Sequence, residues 1–87
     1  MTVAYRVLFT THAAKQFDKL PKPTQEALRP KISALGDDPR PAGAIRLSGA
    51  DNAYRIRAGD YRVIYTVQDD VLTVLVIAAG NRREVYR

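Results

Sequence analysis

The sequence predicts an α+β, two-layer domain built as one strand, two helices and then an antiparallel β-meander. Three observations carry this. Apolar residues follow helical spacing only between about positions 10 and 36, they alternate with period two on either side, and glycine, proline or aspartate marks the changes of period. Val3 to Phe9 opens the chain as a strand with Val3, Tyr5, Val7 and Phe9 on one face. Thr10 or Thr11 caps a short helix whose Ala13, Phe17 and Leu20 share a face, and Leu20-Pro21-Lys22-Pro23 ends it. Pro23 suits the first residue of a second helix, with Ala27, Leu28, Ile32 and Leu35 as its apolar stripe. Pro30 falls inside that helix, where a missing N–H and a ring clash should bend it.

Gly36 stops the second helix and the loop Asp37-Asp38-Pro39-Arg40-Pro41 follows. Ala44 to Leu47 reads as a short extended lead-in. Three strands complete the chain, Ala53 to Arg57, Tyr61 to Val67 and Val71 to Ala79, joined by Ala58-Gly59-Asp60 and Gln68-Asp69-Asp70 at hairpin length. The last strand is apolar on both faces, which predicts a central strand covered by helices on one side.

At 87 residues the chain buries about 64% of its unfolded surface, enough for one core, so a single domain over 1–87 is expected. The absence of cysteine excludes a disulfide framework, a thiolate zinc site and a cysteine nucleophile, and a single histidine excludes most imidazole metal constellations. No metal and no cofactor is expected. The N-terminus carries no cationic stretch followed by an apolar run, and no segment approaches the ~18 apolar residues of a membrane span. A cytoplasmic protein without a membrane partner is expected.

Fourteen Lys and Arg against nine Asp and Glu give a net charge of +5, which suits phosphate backbones, acidic proteins or anionic membrane surfaces. Every lysine (15, 19, 22 and 31) precedes Gly36, whereas every cation after Gly43 is an arginine, at 46, 55, 57, 62, 82, 83 and 87. Tyr54, Tyr61, Tyr65 and Tyr86 lie in the same half. Arginine forks onto phosphate and tyrosine stacks on bases, while lysine supplies a point charge.

Alternation assigns the faces. Tyr54 and Ile56 point one way and Arg55 and Arg57 the other; Tyr61, Val63, Tyr65 and Val67 form one set and Arg62, Ile64 and Thr66 the opposite one. With the apolar sets toward the helices, Arg55, Arg57 and Arg62 share the uncovered face. Two readings stay open there: an anion site that relieves the repulsion of three guanidinium groups, or solvated arginines partnered by Asp60, Asp69 and Asp70. Tyr86 likewise either works on a nucleotide or anchors the chain end. His12 reads as a surface or capping residue, Asp37 and Asp38 as a helix-terminating loop, and Asp69 and Asp70 as turn residues.

The run Tyr54-Arg55-Ile56-Arg57-Ala58-Gly59-Asp60-Tyr61-Arg62-Val63-Ile64-Tyr65, followed by Gly80-Asn81-Arg82-Arg83-Glu84-Val85-Tyr86-Arg87, resembles the RelE toxins of the RelE/ParE superfamily. So does Phe17-Asp18-Lys19-Leu20-Pro21 ahead of a helix ending in Asp37-Asp38-Pro39-Arg40. The resemblance implies a RelE-like microbial RNase fold. It also implies a toxin made beside a RelB-like antitoxin, which enters the ribosomal A site, cuts messenger RNA and arrests translation. The chemistry it implies is metal-independent attack of a ribose 2′-hydroxyl on the adjacent phosphorus. Operator DNA is then a partner only through the antitoxin complex.

Carried over by position, Arg62 contacts the scissile phosphate, Arg82 stabilises it or protonates the leaving oxygen, and Tyr86 orients the nucleotide. Arg55, Arg57 and Arg83 add RNA-phosphate contacts, and the short connection after Gly80 leaves the register of Arg82 against Arg83 open. The chain departs from the best-studied pattern in carrying Arg55 and Arg57 where that pattern has lysine, and in ending at Arg87 without the C-terminal helix of some relatives. Arginine stays protonated, so the 2′-hydroxyl proton must go to Tyr86, a phosphate oxygen or water. The superfamily also contains ParE-like toxins that inhibit DNA gyrase without nuclease activity, which is the alternative reading.

Overall fold

The computed structural model describes residues 4–49 and 52–81. Strand β1 (Arg6–Phe9) is followed by helices α1 (Thr11–Asp18) and α2 (Lys22–Ala34). A two-residue strand β2 (Ile45–Arg46) then leads into β3 (Ala53–Ala58), β4 (Tyr61–Gln68) and β5 (Thr73–Asn81). One mixed sheet forms in the order β1-β5-β4-β3-β2. The expected antiparallel meander is present in β3, β4 and β5, and the sheet gains β1 at one edge, paired parallel to β5. No described helix is long and apolar enough to cross a membrane.

Thr10 is the N-cap of α1, where its hydroxyl accepts the Ala13 N–H at 3.0 Å. Ala13, Phe17 and Leu20 face the core as their spacing predicts. Helix α2 begins one residue ahead of Pro23 and runs on through Pro30, whose ring lies on the exposed side. Leu28, Ile32 and Leu35 are its buried stripe; Ala27 is exposed, and the buried neighbour is instead Gln25. Gln25 is tolerated there because its Nε2 donates to the carbonyls of Leu20 (3.0 Å) and Asp18 (3.3 Å), groups that the end of α1 leaves without helical partners.

The sheet's inner face packs on the helices through Ile56, Val63, Tyr65, Val67, Val74 and Val76, all at 5% exposure or less. Strand β5 lies between β1 and β4 and carries α1, an interior strand covered by a helix on one side as its two-sided apolar pattern predicts. It also starts at Thr73 rather than Val71, because Asp69–Val71 form a 3₁₀ turn and Leu72 takes a left-handed conformation (φ 48°) before the strand begins. Opposite Tyr65 stands Val76, yet opposite Ile64 stands Ala78, so Ile77 is an extra residue in β5. The bulge moves the core-facing set from Val74 and Val76 to Ala79, which is 1% exposed.

The end of the sheet away from the Gly59 hairpin is closed by polar contacts. Arg40 Nη2 and Nη1 reach Asp69 Oδ2 and Oδ1 at 2.8 and 3.3 Å, and Arg40 Nε donates to the Tyr54 hydroxyl at 2.9 Å. The Tyr5 hydroxyl donates to Asp69 Oδ1 at 2.6 Å. Tyr54 stacks on Tyr65, whose buried hydroxyl donates to the Pro39 carbonyl at 2.8 Å. Burial pushes the Tyr65 phenol up to about 12.

Replacing Tyr65 with Phe keeps the ring and orphans the Pro39 carbonyl, so urea denaturation should show a loss of about 1–3 kcal/mol. Asp69 is held below the ordinary carboxylate range by hydrogen bonds from Arg40 and Tyr5. Its contribution is therefore complete above the unfolded value of about 3.9 and fades as pH falls through the lower folded value. The stability gap between the wild type and Asp69→Asn, measured from pH 7 down to 3, should close at the acid end; a constant gap would contradict the assignment.

Candidate functional site

The Gly59 hairpin builds the site. Gly59 sits at φ 60°, the left-handed conformation that a tight connection needs, and it returns the chain so that Arg57 stands directly opposite Arg62. Alternation puts Arg55 two residues along the same face of β3, opposite Ile64. The face expected for all three arginines is the one they occupy. Directly opposed side chains on neighbouring strands have Cβ atoms about 4.5–5.5 Å apart, so Arg57 and Arg62 leave the sheet as direct neighbours. Arg57 is exposed, Arg55 and Arg62 are half-buried, and the Nε of Arg62 is shielded from solvent.

Strand β5 completes this corner by placing Gly80 opposite Arg62 on its other side, a position without a side chain to crowd the guanidinium. Moving away from the hairpin, the same face turns apolar. Ile45, Arg55, Ile64 and Ala78 form the next row, and Ala53, Thr66, Leu75 and Leu8 the one beyond it. The arginine corner thus gives way to an apolar stretch in which Ile64 and Ala53 are buried and Ile45 and Leu8 are exposed.

Lys31 of α2 adds a cation that the sequence did not single out, its Nζ donating to the Arg57 carbonyl at 3.0 Å. It sits where α2 meets β3, beside an apolar cleft of about 280 Å³ bounded by Lys31, Ala34, Pro41, Gly43, Ile56 and Arg57. Asp69, one of the carboxylates weighed as a partner for the sheet arginines, is taken by Arg40 at the far end. His12 is exposed in the first turn of α1, and Asp38 accepts the Arg40 N–H within its loop. Among the described residues no three His, Asp or Glu side chains converge as metal ligands would. Arg82, Arg83 and Tyr86, the remaining residues singled out in the sequence, lie outside the described residues.

The family model described as ParE toxin of type II toxin-antitoxin system, parDE, matches residues 7–86. The mRNA interferase toxin RelE of Escherichia coli K12 is 35% identical, over 97% of this chain and 92% of that protein. The crystal structure of the isolated E. coli RelE toxin superposes with a TM-score of 0.82 at 33% identity, covering 95% of this chain and 92% of that one. In the intact E. coli RelBE toxin–antitoxin complex the match has a TM-score of 0.80 at 32% identity, over 90% of this chain and 96% of the matched chain.

Opposed like charges destabilise a sheet, and the effect is screened by salt. Arg57→Thr should therefore raise stability by about 0.2–1 kcal/mol at low ionic strength, with the gain shrinking in about 1 M salt, where the Debye length is ~3 Å. A loss of stability at low salt would show that the pair is already neutralised.

Proposed function

Because the chain belongs to the ParE/RelE family of type II toxins and is a RelE-type toxin of a toxin–antitoxin system, we propose that it is a ribosome-dependent endoribonuclease that cuts messenger RNA in the A site. The observation that carries this reading is the opposition of Arg57 and Arg62 on one sheet face, with Gly80 as the next neighbour of Arg62. Relatives named mRNA interferase support the ribonuclease activity, and the RelBE complex supports a RelB-like antitoxin as the partner that keeps the site covered. Such a toxin works in the cytoplasm, where translating ribosomes are.

In the proposed reaction the ribose 2′-oxygen forms a bond to the adjacent phosphorus and the bond from phosphorus to the 5′-oxygen breaks. The products are a 2′,3′-cyclic phosphate and a free 5′-hydroxyl, the 2′-proton ending on the leaving oxygen. Negative charge accumulates on the phosphoryl oxygens between these events, and fixed cations aimed at them lower the barrier without reorganising. Arg62, half-buried and backed by the sheet, is the contact to that phosphate. Arg55, Arg57 and Arg83 hold flanking phosphates. Arg82 serves the leaving oxygen, and Tyr86 orients the nucleotide and relays the proton. With guanidinium groups at 55 and 57, neither position acts as a base, so the proton passes to Tyr86, a phosphate oxygen or water. The chemistry as proposed needs no metal.

Purified toxin freed of antitoxin should cut messenger RNA on programmed ribosomes and leave the cyclic phosphate end. Arg62→Ala and Arg82→Ala should each lower the single-turnover rate by about 10²–10³-fold while the protein still unfolds in one cooperative urea transition. Ribosomes that are bound while their messenger stays uncut would defeat the nuclease reading. DNA damage on induction, with translation continuing, would support the gyrase-directed alternative instead.

A further inference from the structure

Strand β1 ends at Phe9, opposite Val76, whereas β5 runs on to Asn81. Beyond Val76 no strand among the described residues pairs with the outer edge of β5, and the bulge at Ile77 turns Ala79 inward to 1% exposure, out of reach of solvent. A buried N–H without an acceptor is costly, so this edge has to be closed from elsewhere. Helix α1 starts immediately after β1 and packs on β5, and its half-buried Gln16 closes the gap: Oε1 accepts the Ala79 N–H at 2.9 Å.

We propose that Gln16 is a positioning residue for the arginine site, its side-chain carbonyl holding the bulged end of β5 in the register that sets Gly80 opposite Arg62. The Ala79 N–H is one residue from Gly80, and the inner-face contact of Ala79 and the outer-face position of Gly80 are two sides of one register. Were the insertion lost while Tyr65 stayed opposite Val76, Ala79 would move to the outer face and its methyl group would stand where the phosphate must approach Arg62. Any acceptor of the same reach serves this purpose; an apolar side chain of similar size fills the space and cannot. The inference about rate rests on the nuclease reading above, while the inference about register does not.

Two readouts separate them. Gln16→Leu should lower single-turnover cleavage on programmed ribosomes by about 10²-fold, the scale of an ångström-sized misplacement, with ribosome affinity unchanged. Gln16→Glu, which keeps the acceptor, should cleave within about threefold of wild type at the same position on the messenger. Amide hydrogen exchange and the Arg62 Nε–H resonance report the register without any catalysis. Gln16→Leu should accelerate exchange at Ala79 and shift the Arg62 signal, and Gln16→Glu should do neither. If Gln16→Leu fails to fold, Gln16→Asn, one methylene too short, takes its place in both measurements. Unchanged Ala79 exchange in Gln16→Leu, or equal damage from Gln16→Glu, overturns the proposal. Wild-type protein that leaves messenger uncut, with the exchange pattern as expected, overturns the nuclease reading alone and upholds the register.

Discussion

A single inserted residue in β5 governs which atoms face which side of this protein. Up to Val76 the strand is held between β1 and β4 and delivers Val74 and Val76 to the helix layer. Past Ile77 the alternation is reversed, so Ala79 goes to the core and Gly80 to the open face. The regular continuation would have set a methyl group beside Arg62. Because the side-chain period of a strand is two, one residue is enough to convert a crowded corner into an open one. The same insertion obliges α1 to supply an acceptor for Ala79, which ties the helix layer to the functional face through Gln16.

The two ends of the sheet treat their arginines in opposite ways. At the far end Arg40 is matched by a carboxylate, a phenol and an aromatic face, and Asp69 is held ionised in return. That cluster is complete, and it closes the Pro39–Pro41 loop over Tyr65. At the hairpin end Arg57 and Arg62 are opposed across the strands, with a glycine as the next neighbour. Like charges set side by side cost stability in the free protein and are relieved by a bound anion. The candidate site is placed at this end because Arg55, Arg57 and Arg62 share one sheet face, whereas Arg40 is engaged in closing a loop.

Much of this was legible in the sequence because the relevant signals are local. Tyr-Arg-Ile-Arg at 54–57 and the alternation at 61–67 place the three arginines on one face with no knowledge of the partner strands. The capping threonine and the Leu28, Ile32 and Leu35 stripe are equally short-range. What escaped has more than one cause, contacts distant in sequence and local turns or insertions that the hydropathy pattern does not mark. Asp69 reads as a turn residue, yet it is bound by Arg40, 29 positions away, and by Tyr5, 64 away. Val71 reads as strand because it is apolar, but the 3₁₀ turn leaves it exposed. The bulge is invisible because Ile77, Ala78 and Ala79 are all apolar, so no alternation marks the extra residue. Gln25 escapes the helical stripe because a polar residue is buried only where carbonyls from another helix await it.

The proposed chemistry asks more of the surroundings than of the site. The described arginines provide positive charge, and charge alone stabilises the phosphorane-like transition state of the proposed reaction without setting the 2′-oxygen in line with the bond that breaks. Alignment of reacting groups is worth about 7–11 kcal/mol when it is supplied before the reaction begins. In the proposed reaction the ribosome-bound messenger brings that alignment with it, and the toxin contributes the electrostatic part. On this division of labour a small domain is sufficient, because the substrate arrives already shaped by another machine.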